Sequence, residues 1–331
     1  MVAALRTAGG ARVRGPGAGA RALLLDGGAA VGGRADRHDG AWGRALDAVE
    51  GWFAQVGGEV VALRAVPELG APGAVAGVEC ELSPVAGQEP QRLVADLRAL
   101  AAARAPAPGV DLAVVPAGLS AVPRLVVLDV DSTLITGEVV EMLAARAGAE
   151  AEVAQVTEAA MRGEVDFSES LHRRVALLEG LPVEVLDEVR AEVVPSPGAA
   201  AMARSLADAG VPVAVVSGGF AEVVEPLADS LGIPHARANR LEVARGRLTG
   251  RVLGDVVDAP AKEAFLRELA ERHGVPLAGA VAVGDGANDL AMVRAAGTGV
   301  AFCARPVLQA SADVVLRRRD LTAVAHLVGV V

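Results

Sequence analysis

The sequence contains no tyrosine and only two tryptophans, Trp42 and Trp52, so aromatic residues make up 2% of its 331 positions. That shortage excludes a single-stranded nucleic-acid platform built on exposed rings. Basic side chains are also outnumbered, 31 against 41 acidic ones, and the formal charge of −10 has the wrong sign for holding a polyanion by counterion release. No nucleic-acid partner is expected, and an anionic substrate must be met by a local positive site or a metal. Cys80 and Cys303 are the only cysteines, too few for a disulfide framework or a thiolate zinc site, which suits a reducing cytoplasm. No uncharged run approaches the roughly 18–20 apolar residues that cross a bilayer, so a soluble chain with no membrane partner is expected. The histidines (His38, His172, His235, His273 and His326) fall in no metal or triad spacing, and His172 reads as part of a solvated helix face.

What is present is a chain 52% hydrophobic, mostly small and aliphatic, whose length suggests two domains at roughly 100–200 residues each. Residues 1–20 carry Arg6, Arg12 and Arg14 and no acid, superficially like a transit peptide, but Gly and Pro crowd the stretch and a flexible tail is expected. Residues 21–115 read as β-α-β-β-α-β: an apolar run at Ala22–Leu25, a helix over 42–56, strands near Val60–Ala65 and Val75–Leu82, a helix over 91–103, and a strand at Leu112–Val115. This order suits a small α+β domain with both helices on one face of an antiparallel sheet, similar to the ACT-like, ferredoxin-like ligand-binding domains. Its reading stays open between an amino-acid effector module and a spacer or dimerisation domain that would make the chain a homodimer. Residues 116–123 form a linker.

From residue 124 to 331 the pattern changes to an α/β one. Short β-branched runs at Leu125–Leu128, Val213–Val216 and Val281–Val283 alternate with amphipathic helices, as in a parallel sheet with crossover helices. Residues 138–195 hold only helical periodicity, with Asp166 and Glu169 as a capping box ahead of Leu171, Val175 and Leu178, and read as a helical insertion. Ser196-Pro197 then starts a helix that returns to the sheet. Cys303, after an apolar run, reads as core.

Each of the three β-branched runs ends in polar residues, where open α/β sheets bind ligands. The first ends in Asp129-Val-Asp131-Ser-Thr. One carboxylate of that pair would be a nucleophile or metal ligand and the other a proton carrier. The second ends in Ser217-Gly218-Gly219, a hydroxyl and flexible amides suited to a phosphate oxygen. The third ends in Gly284-Asp285-Gly-Ala-Asn288-Asp289, an acidic turn suited to the oxygen-only ligation of Mg²⁺. Each motif alone is common as a turn; three at the ends of strands in one sheet are hard to ascribe to coincidence.

Together with Lys262, these stretches resemble, in order, the four motifs of the haloacid dehalogenase-like (HAD) phosphatases. Ala160-Met161-Arg162-Gly163, Asp166-Phe167, Ser170-Leu-His172-Arg173-Arg174-Val175 and Gly254-Asp255-Val-Val-Asp258 bring the resemblance to the phosphoserine phosphatase branch of that family, over residues 124–331. It implies a HAD core, a Rossmann-like parallel sheet, with a helical cap and Mg²⁺-dependent hydrolysis of O-phospho-L-serine through an aspartyl phosphate, the last step of serine biosynthesis. By that likeness Asp129 is the nucleophile and Asp131 the general acid and base. The metal is held by Asp129, the Asp131 carbonyl and Asp285. Ser217, the Gly218 amide and Lys262 bind phosphate oxygens, and Asn288 contacts phosphate or the nucleophile's loop. Asp289 orients the metal shell through water. Glu138 receives the substrate ammonium, Arg174, rather than its neighbour Arg173, pairs with its carboxylate, and Met161 and Phe167 line the cap's apolar wall. Two alternatives stand beside this. One is a HAD phosphatase or phosphotransferase for another small phosphomonoester, such as phosphothreonine or phosphohomoserine. The other is an amino-acid sensor whose HAD domain is inactive.

Overall fold

The computed structural model describes residues 20–26, 48–56 except 50 and 54, 58–67, 75–84, 89–103, 110–116, 118–119, and 122–330 except 163. The expected tail, most of the first helix over 42–56, parts of the linker and Gly163 lie outside the described residues, as does the side chain of Met161.

Strands β1 (Ala20–Asp26), β2 (Gly58–Pro67), β3 (Val75–Pro84) and β4 (Val110–Pro116) form an antiparallel sheet in the order β2-β3-β1-β4. Helix α1 (Pro90–Ala103) and the helical residues within 48–56 cover one face, where Ala22, Leu24, Cys80, Leu82, Leu112 and Val114 meet Trp52, Phe53, Leu93 and Leu97. The alternate residues of the same strands, Leu23, Leu25, Ala113 and Val115, are buried as well, against the second part of the chain. That is the physical reason for the unbroken apolar run at Ala22–Leu25: it is buried on both faces rather than alternating with solvent.

The second sheet has seven strands in the order β11-β10-β9-β5-β6-β7-β8. In chain order these are β5 (Leu125–Leu128), β6 (Val213–Phe220), β7 (His235–Ala244), β8 (Arg247–Leu253), β9 (Ala280–Gly284), β10 (Thr298–Phe302) and β11 (Val314–Leu316). All neighbours run parallel except β7 and β8, an antiparallel pair absent from the sequence expectation. Its residues are mixed polar and apolar and half exposed, so no apolar run marks them. Arg245 (φ +53°) and Gly246 (φ +74°) make its turn.

Between β5 and β6 lie helices α2 (Val139–Ala147), α3 (Glu150–Met161), α4 (Phe167–Ala176), α5 (Val185–Glu192) and α6 (Ala199–Asp208). The first four make up the all-helical insertion. Asp166 caps α4 by accepting from the Glu169 N–H at 2.8 Å, and Leu171, Val175 and Leu178 bury its apolar face. Helix α6 is capped by Gly198 in the left-handed region (φ +80°), so Pro197 stands just ahead of the helix rather than inside it. The chain continues with α7 (Ala221–Ser230), α8 (Ala259–Arg272), α9 (Leu290–Ala295), α10 (Pro306–Gln309) and α11 (Thr322–Leu327). Cys303 is half-buried with φ +48°, not a fully enclosed core residue as its sequence neighbours suggested, because the chain turns there as β10 ends. Among the described residues no helix is long and apolar enough to cross a membrane.

Candidate active site

Strands β9, β5 and β6 are neighbours, and the chain leaves β5 toward β6 on one side while β9 lies on the other. Their carboxyl ends therefore flank the crevice at which a doubly wound sheet opens to a ligand. All three polar strand ends meet there. Asp129 sits one residue past β5, only 3% exposed, its N–H bonded to the Val283 carbonyl at 2.9 Å and its Oδ1 accepting from the Val130 N–H at 2.7 Å.

Lys262, near the start of α8, is wholly buried and donates from Nζ to Asp129 Oδ1 at 2.8 Å and to Asp289 Oδ1 at 2.7 Å. A lysine that buries its head needs such partners. Burial works against the ammonium, yet the two carboxylates outweigh it and hold the pKa above the usual lysine range. Asp258 caps α8 through the Ala261 N–H at 2.9 Å, and this fixes the turn that carries Lys262.

Asp289 in turn accepts from the N–H groups of Asp285 and Gly286, both at 3.1 Å on Oδ2. Carboxylate oxygens of Asp129, Asp285 and Asp289 lie within 4.8 Å of one another. Burial, and next the Asp289 charge, pushes Asp285 up to about 6 against the pull of Lys262. Burial, and next Asp289, also raises Asp129 well above its ordinary value. One ammonium among three carboxylates leaves a surplus of negative charge on hard oxygen donors, and a divalent cation relieves it. The donor set thus fits a metal ion, with Asp289 beside Asp129 and Asp285 and bonded to Lys262 and to two backbone N–H groups.

Asp131 faces elsewhere. Its Oδ1 accepts from the Val139 N–H at 2.9 Å, at the start of α2, and its Oδ2 from Ser217 Oγ at 3.1 Å. Burial raises its pKa, and these two bonds draw it partly back. The paired carboxylates of one strand end are therefore in different environments: one among like charges and an ammonium, the other on neutral donors. Such a separation is what distinct roles require.

Ser217 Oγ also accepts from the Gly219 N–H at 2.7 Å. The two glycines after it let neighbouring side chains approach closely. A Cβ on Gly218 would stand 2.5 Å from the Phe167 ring of the insertion, and one on Gly219 2.6 Å from Asp131 Oδ2. Asn239 on β7, 2% exposed, holds this turn by donating to the Gly218 carbonyl at 2.9 Å and accepting from the Val257 N–H at 2.8 Å. Nothing in its sequence neighbourhood marks it.

Glu138 stands just ahead of α2 and accepts from Ser132 Oγ at 2.7 Å. Burial, and next the Asp131 charge, lifts it to about 7. Arg174 on α4 is half-buried and lies in the fields of Glu138 and Asp131, whereas Arg173 is exposed and paired with Glu169 on the outer face. Burial works to lower the Arg174 pKa and those carboxylates oppose it. Of the two neighbours, Arg174 is the one turned to the site. Asn288 is half-buried with its Oδ1 beside Gly286, close to the carboxylate cluster. His172 bonds the Ser168 carbonyl from an exposed helix face, outside the site.

Residues 126–294 match the family model of the haloacid dehalogenase-like hydrolases. The chain is 54% identical over 235 residues to a phosphoserine phosphatase of Streptomyces coelicolor, an alignment covering 71% of this chain and 57% of that protein, so it spans a little over half the relative's length. A solved structure described as a phospho-aspartyl intermediate analogue of phosphoserine phosphatase superposes with TM-score 0.59 at 42% identity, over 62% of this chain and 98% of the other. A probable phosphoserine phosphatase from Vibrio cholerae, in its unliganded form, superposes over 94% of this chain and 86% of its own with TM-score 0.67 and 31% identity.

Proposed function

The chain belongs to the haloacid dehalogenase-like hydrolase family, and from that premise we propose that it is an L-phosphoserine phosphatase that hydrolyses O-phospho-L-serine to L-serine and phosphate with Mg²⁺, as the last step of serine biosynthesis. The observation that carries the substrate is the acid–base pair Glu138 and Arg174, each in the field of Asp131. A substrate with an ammonium and a carboxylate next to its phosphate ester fits that pair. A bidentate guanidinium fork reads the carboxylate, and Glu138 receives the ammonium.

Asp129 attacks the phosphorus in line, forming an aspartyl phosphate as the bond to the seryl oxygen breaks. Asp131, whose pKa burial has raised, gives its proton to that leaving oxygen. It then accepts a proton from the water that attacks the aspartyl phosphate, which frees phosphate and restores Asp129. Ser217, the Gly218 amide and Lys262 hold the phosphate oxygens as charge spreads over them in a largely dissociative transfer. Asn288 contacts the same group, and Phe167 walls the site from the insertion. Asp129, the Asp131 carbonyl and Asp285 would hold Mg²⁺, with Asp289 beside them orienting the shell through water, and the ion would supply the charge that lets a carboxylate approach a phosphate dianion.

Residues 21–115 are proposed as an ACT-like domain, joined by the linker at 116–123 to the phosphatase domain at 124–331, with an amino acid as effector or a second copy as partner. The strand order β2-β3-β1-β4 supports that assignment. Calorimetric titration of the full chain with serine and sedimentation of the apoprotein test the two roles. The substrate is tested by phosphate release with Mg²⁺ from a panel of phosphomonoesters. Phosphoserine leads by a wide margin, and Arg174→Ala raises KM for it far more than for an aryl phosphate. Equal turnover of aryl phosphates and phosphoserine overturns the assignment.

A further inference from the structure

Ser132, between the proposed acid–base Asp131 and the buried Thr133, has φ +57°, a conformation that a residue other than glycine holds only when its surroundings fix it. Its N–H donates to the Gly137 carbonyl at 3.1 Å and its hydroxyl to Glu138. Its carbonyl is taken by Arg319, whose Nη1 donates at 2.8 Å from outside the motif-bearing strands. The next residue is tied as well: the Thr133 carbonyl accepts from Ser196 Oγ at 2.7 Å, and Arg319 Nη1 stands 3.5 Å from that hydroxyl. The guanidinium lies 5.8 Å from the centroid of the Phe302 ring, within cation–π range.

Arg319 belongs to the short segment between β11 and α11, and that segment is held from the four-stranded sheet. Asp111 on β4, 6% exposed, accepts through Oδ2 from the N–H groups of Arg317 at 2.8 Å and Arg318 at 3.0 Å. Arg98 on α1 pairs with Asp313 just before β11, and Asp313 accepts from the Gly299 N–H at 2.8 Å. Strand β4 and helix α1 thus hold the chain on the two sides of β11.

We infer that Arg319 is a positioning residue for the nucleophile's loop and that Asp111 sets it, so that the N-terminal sheet tunes the chemical step rather than substrate recognition. The inference rests on the phosphatase reading above. The Ser132 carbonyl is the lever: without Arg319 the peptide between Ser132 and Thr133 loses its only guanidinium tether among the described residues, and the carboxylate–phosphorus alignment loosens.

The experiment is steady-state kinetics of the full chain with Mg²⁺ on phosphoserine and on an aryl phosphate, for Arg319→Ala, Arg319→Lys, Asp111→Asn and the double variant Asp111→Asn/Arg319→Ala. Arg319→Ala lowers kcat by about tenfold or more on both substrates, with KM within about twofold. Arg319→Lys, which can still donate one hydrogen bond, recovers part of the loss, as does added guanidinium with Arg319→Ala. Asp111→Asn loses a smaller factor, and adding it to Arg319→Ala costs almost nothing more, since both act through one tether. Unchanged kcat in Arg319→Ala, a change confined to KM, or multiplicative losses in the double variant overturn the inference. Should Arg319→Ala not fold, the lysine variant and Asp111→Asn decide by the same criteria. A wild type that prefers the aryl phosphate defeats the substrate assignment instead, and the variant-to-wild-type ratios on that ester still test the tether.

Discussion

Replacing Glu138 by glutamine separates stability from function at one position. The side chain is largely buried, and burial together with the Asp131 charge lifts its pKa from 4.5 to about 7. A carboxyl raised in the folded state binds its proton more tightly there than in the unfolded chain. Its penalty is therefore absent well below pH 4.5, grows as the pH rises toward 7, and is constant above that. The gap corresponds to about 3 kcal/mol at pH 8 and about 1 kcal/mol at pH 5. Glutamine keeps the volume and the acceptor for Ser132 Oγ but carries no charge. Glu138→Gln is therefore expected to stabilise the chelator-treated protein by up to about 3 kcal/mol near pH 8. At about 2–4 °C per kcal/mol for a domain of this size, Tm rises by about 6–12 °C, and the gain shrinks to about a third near pH 5. Thermal unfolding across pH 5–8 in chelator reads this out. The same substitution removes the receiver of the substrate ammonium, so KM for phosphoserine rises about 10–100-fold while KM for an ester without an amine holds. A Glu138→Gln protein that is less stable throughout, or whose gain does not depend on pH, refutes the reasoning.

Lys262→Met leaves Asp129 and Asp289 facing each other without their ammonium, so kcat is expected to fall about 10²–10³-fold and the metal-free variant to lose stability at neutral pH and regain it in acid, which phosphate release and thermal unfolding check. Gly219→Ala drives a methyl to within 2.6 Å of Asp131 Oδ2 and should cost about 100-fold in kcat with little change in KM, measured by the same kinetics. In chelator, stability should fall as the pH rises toward and through 6, because Asp285 at about 6 and the raised Asp129 bind protons more tightly folded than unfolded; Mg²⁺ should restore stability by an increment that grows over that range, and a constant increment contradicts the carboxylate cluster. Lys262 is the only lysine in the chain, so selective isotope labelling gives one side-chain ammonium signal, which should stay protonated beyond the usual lysine range.

The sequence by itself determined the parallel core and where its chemistry lies. Apolar β-branched runs at Leu125–Leu128, Val213–Val216 and Val281–Val283 have no stable place except inside a sheet covered on both faces, and the polar residues that follow each run can only emerge at its carboxyl end. The helical insertion was legible for a similar local reason, since the cap at Asp166 and the period of Leu171, Val175 and Leu178 are contacts within one helix. Lys262 carried a further signal in being the chain's single lysine, which a functional constraint explains more easily than a solvated surface does.

Tertiary structure decided what depends on neighbours distant in sequence. Local residues do not mark the β7–β8 pair, whose half-exposed faces lack an apolar run, or Asn239, whose two bonds join segments 21 and 18 residues away. Nor do they show that Asp289 enters the carboxylate cluster while the side chain of Asp131 leaves it, because the cluster is set by how the ends of β5 and β9 and the start of α8 meet. The tie from Asp111 through the residue-317 segment to Ser132 spans about two hundred residues and rests on backbone N–H and carbonyl groups. Every residue carries those groups, so the side-chain pattern encodes no trace of which of them will meet.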